Sequence, residues 1–590
     1  MSEVDVEESA MCDNSVVSSE NVEVGEANKK VGSKYDAADK TLYAYLERDK
    51  STTEKYKIEI RGLPKFYGIS EFKKFLNDKL QLNASKIKPQ KKGNHFAYVC
   101  FRNDDDRMKA ISVLDGIEWK RSVLSANAAN PAPDPYAKRK LEANTRSVKR
   151  IKTQLENASL SPEEQVALST TPLYQITYNE QLDLKHNQMK DIITTLVESI
   201  SKVNPELTSW FKIQSGFNDG LPIQLKRIGH SNTIDGYRNK CEFTIGYDVT
   251  QSKRMIGFRL SSYASGSTAV GPIHHLRHIP EKMKTAIRIF EKFVCDSELD
   301  VFDPITNKGN WKQVTVRTTQ LDHLMLIVAI NPQELTNEDQ EQLREKLKKF
   351  FEQEENLEAG VTSLYFQTIE KKTTGGEGGG TITHISGAPY IEEMLLGMKF
   401  RISPQAFFQI NTLGAEILYE TAIDLAQPSP DTALIDVCCG TGTIGISCSK
   451  HFEEVLGIEI IPNAIQDAKV NAKENNVNNC EFFVGKAEDI LQPVMYRSTK
   501  SSMVAIVDPP RAGLHQKAIM SLRKAKKLEK LIYISCDPKA AMKNLIDLAR
   551  PNSRSFHGEP LVPVKAAPVD MFPHTKHCEL ILYLERVSLL

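Results

Sequence analysis

An open, mostly parallel α/β sheet is predicted for the C-terminal third of this 590-residue chain. Two observations carry the prediction. Short apolar runs recur at Ala433-Leu434-Ile435-Asp436-Val437, Val455-Leu456-Gly457-Ile458, Val504-Ala505-Ile506-Val507 and Leu531-Ile532-Tyr533-Ile534. Their length and near-continuous apolarity fit strands buried on both faces. Each run then ends in glycine-rich, proline-rich or acidic residues, which deliver polar groups at the strand's carboxyl end. In open α/β sheets that edge is where ligands bind.

The first run leads into Cys438-Cys439-Gly440-Thr441-Gly442-Thr443-Ile444-Gly445, which opens a helix. Backbone can approach a ligand closely at such a turn. The loop is neither a GxGxxG fingerprint nor a P-loop. Alone it could be an ordinary turn. The second run ends in Glu459, about twenty positions on, placed to accept hydrogen bonds from ribose hydroxyls. Loop and Glu459 together fit a nucleoside cofactor, and the spacing fits S-adenosylmethionine.

The third run enters Asp508-Pro509-Pro510-Arg511. Prolines often do no more than end a strand. Here the position opposite the cofactor loop favours a site role, and the three features in order predict a methyltransferase core. The fourth run delivers Ser535-Cys536-Asp537-Pro538, so a thiol and the Asp508 carboxylate are expected side by side. Pro538 to Lys543 reads as a helix start. A helix N-terminus and nearby lysines lower a thiol pKa, which makes Cys536 a candidate nucleophile. The bland alternative is a buried structural cysteine.

Near the C-terminus, Asp570-Met571-Phe572-Pro573-His574-Thr575-Lys576-His577-Cys578-Glu579 runs into Leu580-Ile581-Leu582-Tyr583-Leu584. Glu579, at the mouth of that strand, is a candidate base. His577 competes on pKa grounds. A solvated strand-end carboxylate is the plain alternative.

With Phe407-Phe408-Gln409-Ile410-Asn411 upstream, these segments resemble the RNA uracil-C5 methyltransferases that use S-adenosylmethionine. The likeness is dense over residues 396–590. Gly236-Tyr237-Arg238-Asn239-Lys240-Cys241-Glu242-Phe243 and Trp311-Lys312-Gln313-Val314-Thr315-Val316-Arg317-Thr318 extend it. The resemblance implies a Rossmann-like methyltransferase domain with Cys536 as nucleophile and Glu579 as general base. It implies Gln409, Glu459 and Asp508 as cofactor contacts, and tRNA, at its T-loop uridine, as substrate. Cys438 falls where relatives usually have an aromatic that packs on the cofactor. Asp537 stands where the family motif usually has Asn, and its charge is expected to raise the thiol pKa. Some bacterial relatives carry a metal cluster. This chain has no CxxC pair, so no metal site is expected.

Composition places these motifs in a multidomain chain. It is 40% hydrophobic and 26% charged, with zero formal net charge. No apolar run approaches the roughly 18 residues that span a membrane, and the opening residues lack a signal-peptide pattern. Ten scattered cysteines suggest a reducing compartment. A cytoplasmic monomer is expected, with the nucleus as a second location.

Neutrality hides segregation. Residues 1–28 are acidic without Lys or Arg, and residues 1–50 are expected to be a disordered tail. Residues 55–130 resemble an α+β RNA recognition motif, with Ile58 to Leu63 as first strand and Phe96 to Phe101 as third. Phe96 and Tyr98 share one strand face and are candidate base platforms. Glu59 occupies a usually aromatic position, so this domain could contact protein instead. Residues 131–170 form a basic linker or helix, with Lys138, Arg139, Lys140, Arg146, Lys149, Arg150 and Lys152. Residues 171–395 are read as a central α+β domain, with a helix from Asn179 to Val203 and Arg238 as a candidate RNA contact. Gly375 to Gly380 is a flexible tip.

Two other functions fit parts of the pattern. An RNA cytosine-C5 methyltransferase also uses a C6 thiolate, but usually carries a second cysteine in a Pro-Cys motif; the Asp508 turn has none. A non-catalytic RNA-binding or chaperone protein is the other.

Overall fold

The computed structural model describes residues 46, 52–64, 67–89, 95–132, 160–260, 268–369 and 380–588. The acidic residues 1–28, the basic run 138–152 and residues 375–379 lie outside them. The chain forms two compact units, Met1–Gln154 and Leu155–Leu590.

In the first unit, strands lie in the order Lys86–Pro89, Phe96–Cys100, Lys57–Arg61, Ser125–Ala128, each antiparallel to its neighbour. Alternation sorts their faces. Ile58, Ile60, Ala97 and Val99 are buried against Phe72 of helix Ile69–Lys74 and Ala110 and Leu114 of helix Asp104–Leu114. The second helix starts where Asn103 accepts a hydrogen bond from the Asp106 N–H, beside three acidic residues that favour a helix N-terminus. Phe96 and Tyr98 lie on the opposite face, their ring centroids 5.7 Å apart. Glu59 pairs with Tyr98 in register and with Arg61 at 2.7 Å.

The second unit holds two large sheets. The strands of the C-terminal one are, in chain order, β1 (Gln224–Leu225), β2 (Gly229–His230), β3 (Thr432–Val437), β4 (Glu454–Glu459), β5 (Cys480–Val484), β6 (Ser502–Val507), β7 (Leu528–Ser535), β8 (Val562–Asp570) and β9 (Glu579–Glu585). Their order is β5-β4-β3-β6-β7-β9-β8, with β1 and β2 beside β8. β3 to β7 are parallel, and β9 runs antiparallel between β7 and β8. That reversal brings the start of β9 to the edge where β3, β4, β6 and β7 end. The other sheet spans Lys240–Tyr247, Arg254–Arg259, Val270–Gly271, Trp311–Thr318, Leu324–Ile330, Ser363–Thr368 and Ile382–Gly387.

The span 171–395 therefore does not build one body. Helix Tyr178–Val203, entered through a Thr177/Glu180 capping box, buries Met189, Ile193, Leu196 and Ile200 against the C-terminal sheet. Residues from Lys240 to Gly387 make the other sheet. The helix position follows from its apolar stripe; its partner was not legible from the stripe alone. A buried ion pair ties it in: Lys185 Nζ lies 2.7 Å from Asp570 Oδ1, with side chains 1% and 0% exposed. Tyr178 donates to the other Asp570 oxygen at 3.0 Å. Lys185→Met should lower unfolding free energy by about 3–5 kcal/mol by stranding a buried carboxylate; chemical denaturation would read it.

Among the described residues no helix is long and apolar enough to cross a membrane. Among them no group of three or more His, Cys, Asp or Glu is arranged to hold a metal.

Candidate active site

Five side chains singled out in sequence meet at one sheet edge: Cys438 after β3, Glu459 ending β4, Asp508 after β6, Cys536 after β7 and Glu579 opening β9. Ser535 pairs with Leu580 across β7 and β9, so the next step along the ladder sets Cys536 against Glu579. Gln409 arrives from the turn before helix Thr412–Ala426 and donates its Nε2 to Asp508 Oδ2 at 3.3 Å.

The loop after β3 is built for a ligand. Its backbone is left-handed at Cys438 (φ 67°), Gly440 (φ 54°) and Gly442 (φ 80°). At Gly442 a Cβ would also crowd Ile446, Ala468 and Phe482 at 3.0–3.1 Å. Gly440 has open space where its Cβ would be. Asp436, fully buried in β3, accepts from the Gly445 N–H at 2.8 Å and holds the helix that follows. Glu459 accepts from Gly440 N at 3.2 Å and Ile461 N at 3.0 Å.

A nucleoside cofactor fits these residues. Ile460 and Ile461, directly after Glu459, are 54% and 56% exposed, an apolar surface for a flat base beside a ribose-binding carboxylate. Thr441 Oγ1 is buried without a partner in the turn itself. Cys438 packs as a small apolar group against the core, with burial and the Glu459 charge pushing its thiol up to about 12. A non-glycine residue in left-handed backbone costs about 1–3 kcal/mol, and such strain clusters at ligand clamps.

Electrostatics separate the reactive groups. Burial, then the Asp508 charge, raises the Glu579 carboxyl to about 8. Its Oε2 is buried with no hydrogen-bond partner. Burial raises Asp508 to about 7. The Cys536 thiol is pushed up by burial first and Glu579 second, against a hydrogen bond and positive charge from Arg511.

Two expected influences on this thiol are displaced by others in the structure. The lysines after Cys536 are not among the main influences on its thiol, and Lys543 pairs with Asp547 at 3.2 Å. The charges that chiefly raise its pKa are Glu579 and Asp508 rather than Asp537, whose carboxylate is the N-cap of helix Pro538–Leu548 and accepts from Ala540 N at 3.1 Å. The cation that matters is Arg511, fourth residue of the Asp-Pro-Pro-Arg turn. Sequence reasoning missed it, though its place in that turn was the available signal. Arg511→Ala should raise the thiol pKa further and lower the thiolate population near neutral pH, because a hydrogen bond and a positive charge that favour the thiolate are lost. The pH dependence of Cys536 alkylation measures this.

The remaining candidates are not among these contacts. His577 is exposed, with its ring 6.1 Å from that of Phe572. Arg238 is half-buried and donates Nε to the Lys240 carbonyl at 3.1 Å. Phe96 and Tyr98 belong to the first unit.

Sheet order, glycine loop, acidic β4 end and convergent β-strand ends define a Rossmann-like, S-adenosylmethionine-dependent methyltransferase. The tRNA (Uracil-5-)-methyltransferase family model matches residues 388–587. The chain is 38% identical over 548 residues to human tRNA (uracil-5-)-methyltransferase homolog A, covering 93% of this chain and 85% of that protein. It is 38% identical over 439 residues to the Danio rerio homolog B, covering 74% and 89%. The chain belongs to the tRNA (uracil-5-)-methyltransferase family. It shares its fold with a Pyrococcus abyssi tRNA (uracil-54, C5)-methyltransferase solved with S-adenosyl-L-homocysteine, at TM-score 0.51 and 23% identity over 70% of this chain and 84% of that one.

Proposed function

We propose that the chain methylates C5 of a uridine in tRNA, at the T-loop. The observation that supports this most directly is the pair facing across one sheet edge, a half-buried thiol at Cys536 and a buried carboxyl at Glu579. Uracil C5 is a poor nucleophile. Attack of the Cys536 thiolate on C6 forms an S–C6 bond and shifts the C5=C6 electrons into an enolate. S-adenosylmethionine, when bound at Gln409, Glu459 and Asp508, supplies the methyl group that C5 accepts. Glu579 then removes the remaining C5 proton, C5=C6 re-forms, and the thiolate leaves. The target base has to leave its stack to reach this edge.

Glu579 suits that step. A carboxyl raised to about 8 is a stronger base than an ordinary one and sits nearer the working pH. Both Cys536 and Glu579 act deprotonated and both titrate above their usual range, so kcat/KM should rise as pH rises through about 8. A profile already flat below pH 7 would contradict the pairing.

We infer that the first unit is an RNA recognition motif. Its strand order and its two helices on one face support this. Phe96 and Tyr98 are the proposed stacking platforms, with Arg238 as a separate contact in the second unit. Glu59 replaces one platform, and Lys57 lies 5.0 Å over the Tyr98 ring, so the stacking area is reduced. Phe96→Ala with Tyr98→Ala should weaken tRNA binding by about 1–3 kcal/mol per base lost from the platform, read by filter binding.

A tRNA transcript with the T-loop uridine replaced by cytidine tests the position. Loss of methyl acceptance supports it; unchanged acceptance overturns the T-loop assignment.

A further inference from the structure

Gln409 lies on a turn, outside any strand or helix, yet it has to present one amide to Asp508. Its backbone is held from the neighbouring sheet. Asn239, just before strand Lys240–Tyr247, donates from Nδ2 to the Gln409 carbonyl and to Thr412 Oγ1, each at 2.9 Å. Both amide protons of Asn239 are thereby committed. Its own N–H donates to the Ile410 carbonyl at 2.8 Å, and its carbonyl accepts from Thr318 N at 2.9 Å.

The contact is backed on both sides. Thr412 donates its hydroxyl to Glu393 Oε2 at 2.8 Å, and these residues are 4% and 1% exposed. Arg317, 5% exposed, donates to the Ala406 carbonyl at the other end of the turn. Asn411 caps helix Thr412–Ala426 through Gly414 N at 2.9 Å and donates Nδ2 to the Met571 carbonyl at 3.0 Å. The turn bearing Gln409 is thus fastened to the neighbouring sheet and to the segment leading to Glu579.

We propose that Asn239 is a positioning residue for the methyl donor: it never meets the donor and acts through the backbone of Gln409. This rests on the donor site given above. Removing the amide frees the carbonyl that anchors Gln409 at its base, while the Asn239 backbone bonds to Ile410 and Thr318 stay in place. The fold is kept and the aim of one side chain is lost.

A double-mutant cycle tests this. The affinity of the full-length protein for S-adenosyl-L-homocysteine is measured by calorimetry for Asn239→Ala, Gln409→Ala and the double variant. Thermal unfolding and tRNA affinity are followed in parallel. Asn239→Ala should weaken binding roughly tenfold, the scale of one disrupted buried hydrogen bond, with melting temperature and tRNA affinity nearly unchanged. In the Gln409→Ala background it should add almost nothing. Asn239→Asp, of the same size but without the donor protons, should match the alanine variant.

Full additivity in the double variant would overturn the proposal. So would an unchanged affinity in Asn239→Ala beside a weakened Gln409→Ala. An unchanged affinity in Gln409→Ala would instead overturn the donor assignment of Gln409, and the positioning claim with it.

Discussion

Cys536→Ala should lower methyl transfer by at least about four orders of magnitude, as removal of a covalent nucleophile does elsewhere. tRNA affinity should stay within about twofold. The thiol is one half-buried group at a strand end, and its truncation leaves open the polar edge around it. The loss should fall on kcat, because the S–C6 bond exists only after binding. Two further readouts separate chemistry from folding. The variant should unfold at nearly the native temperature, and it should form no denaturation-resistant complex with a 5-fluorouridine RNA, whereas the native protein should form one because fluorine at C5 cannot be removed as a proton. Equal losses of binding and turnover would remove Cys536 from the nucleophile role.

Glu579→Gln should fail at a later step. The amide keeps the shape of the buried side chain, so folding and the first attack survive. Proton removal from C5 does not, and turnover should fall about 10²–10⁴-fold, the usual contribution of a general base. The covalent RNA adduct should then accumulate with ordinary uridine, visible as a shifted band on a denaturing gel. The variant should also lose the rise in rate through about pH 8 that Glu579 contributes. Clean turnover without adduct would exclude Glu579 as the base and return attention to His577, which is exposed beside Phe572.

Much of the catalytic sheet was legible because parallel strands buried on both faces read as short apolar runs. β3, β4, β6 and β7 each matched one, and so did their polar ends. The reversed β9 was less so. Its apolar run could be read, but not that antiparallel insertion between β7 and β8 would set Glu579 opposite Cys536. Strand order is a tertiary fact. Asp537 was read only as a charge beside the thiol, and its place as the N-cap of helix Pro538–Leu548 became visible in three dimensions. Arg511 was not legible because its partner, Cys536, lies at the end of a different strand. Gln409 entered through resemblance alone, since a residue on an irregular turn has no periodicity to announce it. The span 171–395 misled because apolar stripes identify a buried face without naming what buries it.

Methylation at uridine C5 can be read directly in one assay. Purified protein is incubated with methyl-labelled S-adenosylmethionine and unmodified tRNA, and the digested nucleosides are separated. The arrangement of Cys536 against Glu579 predicts label in 5-methyluridine, absent with Cys536→Ala. Label in 5-methylcytidine, or no label while tRNA remains bound, would contradict it.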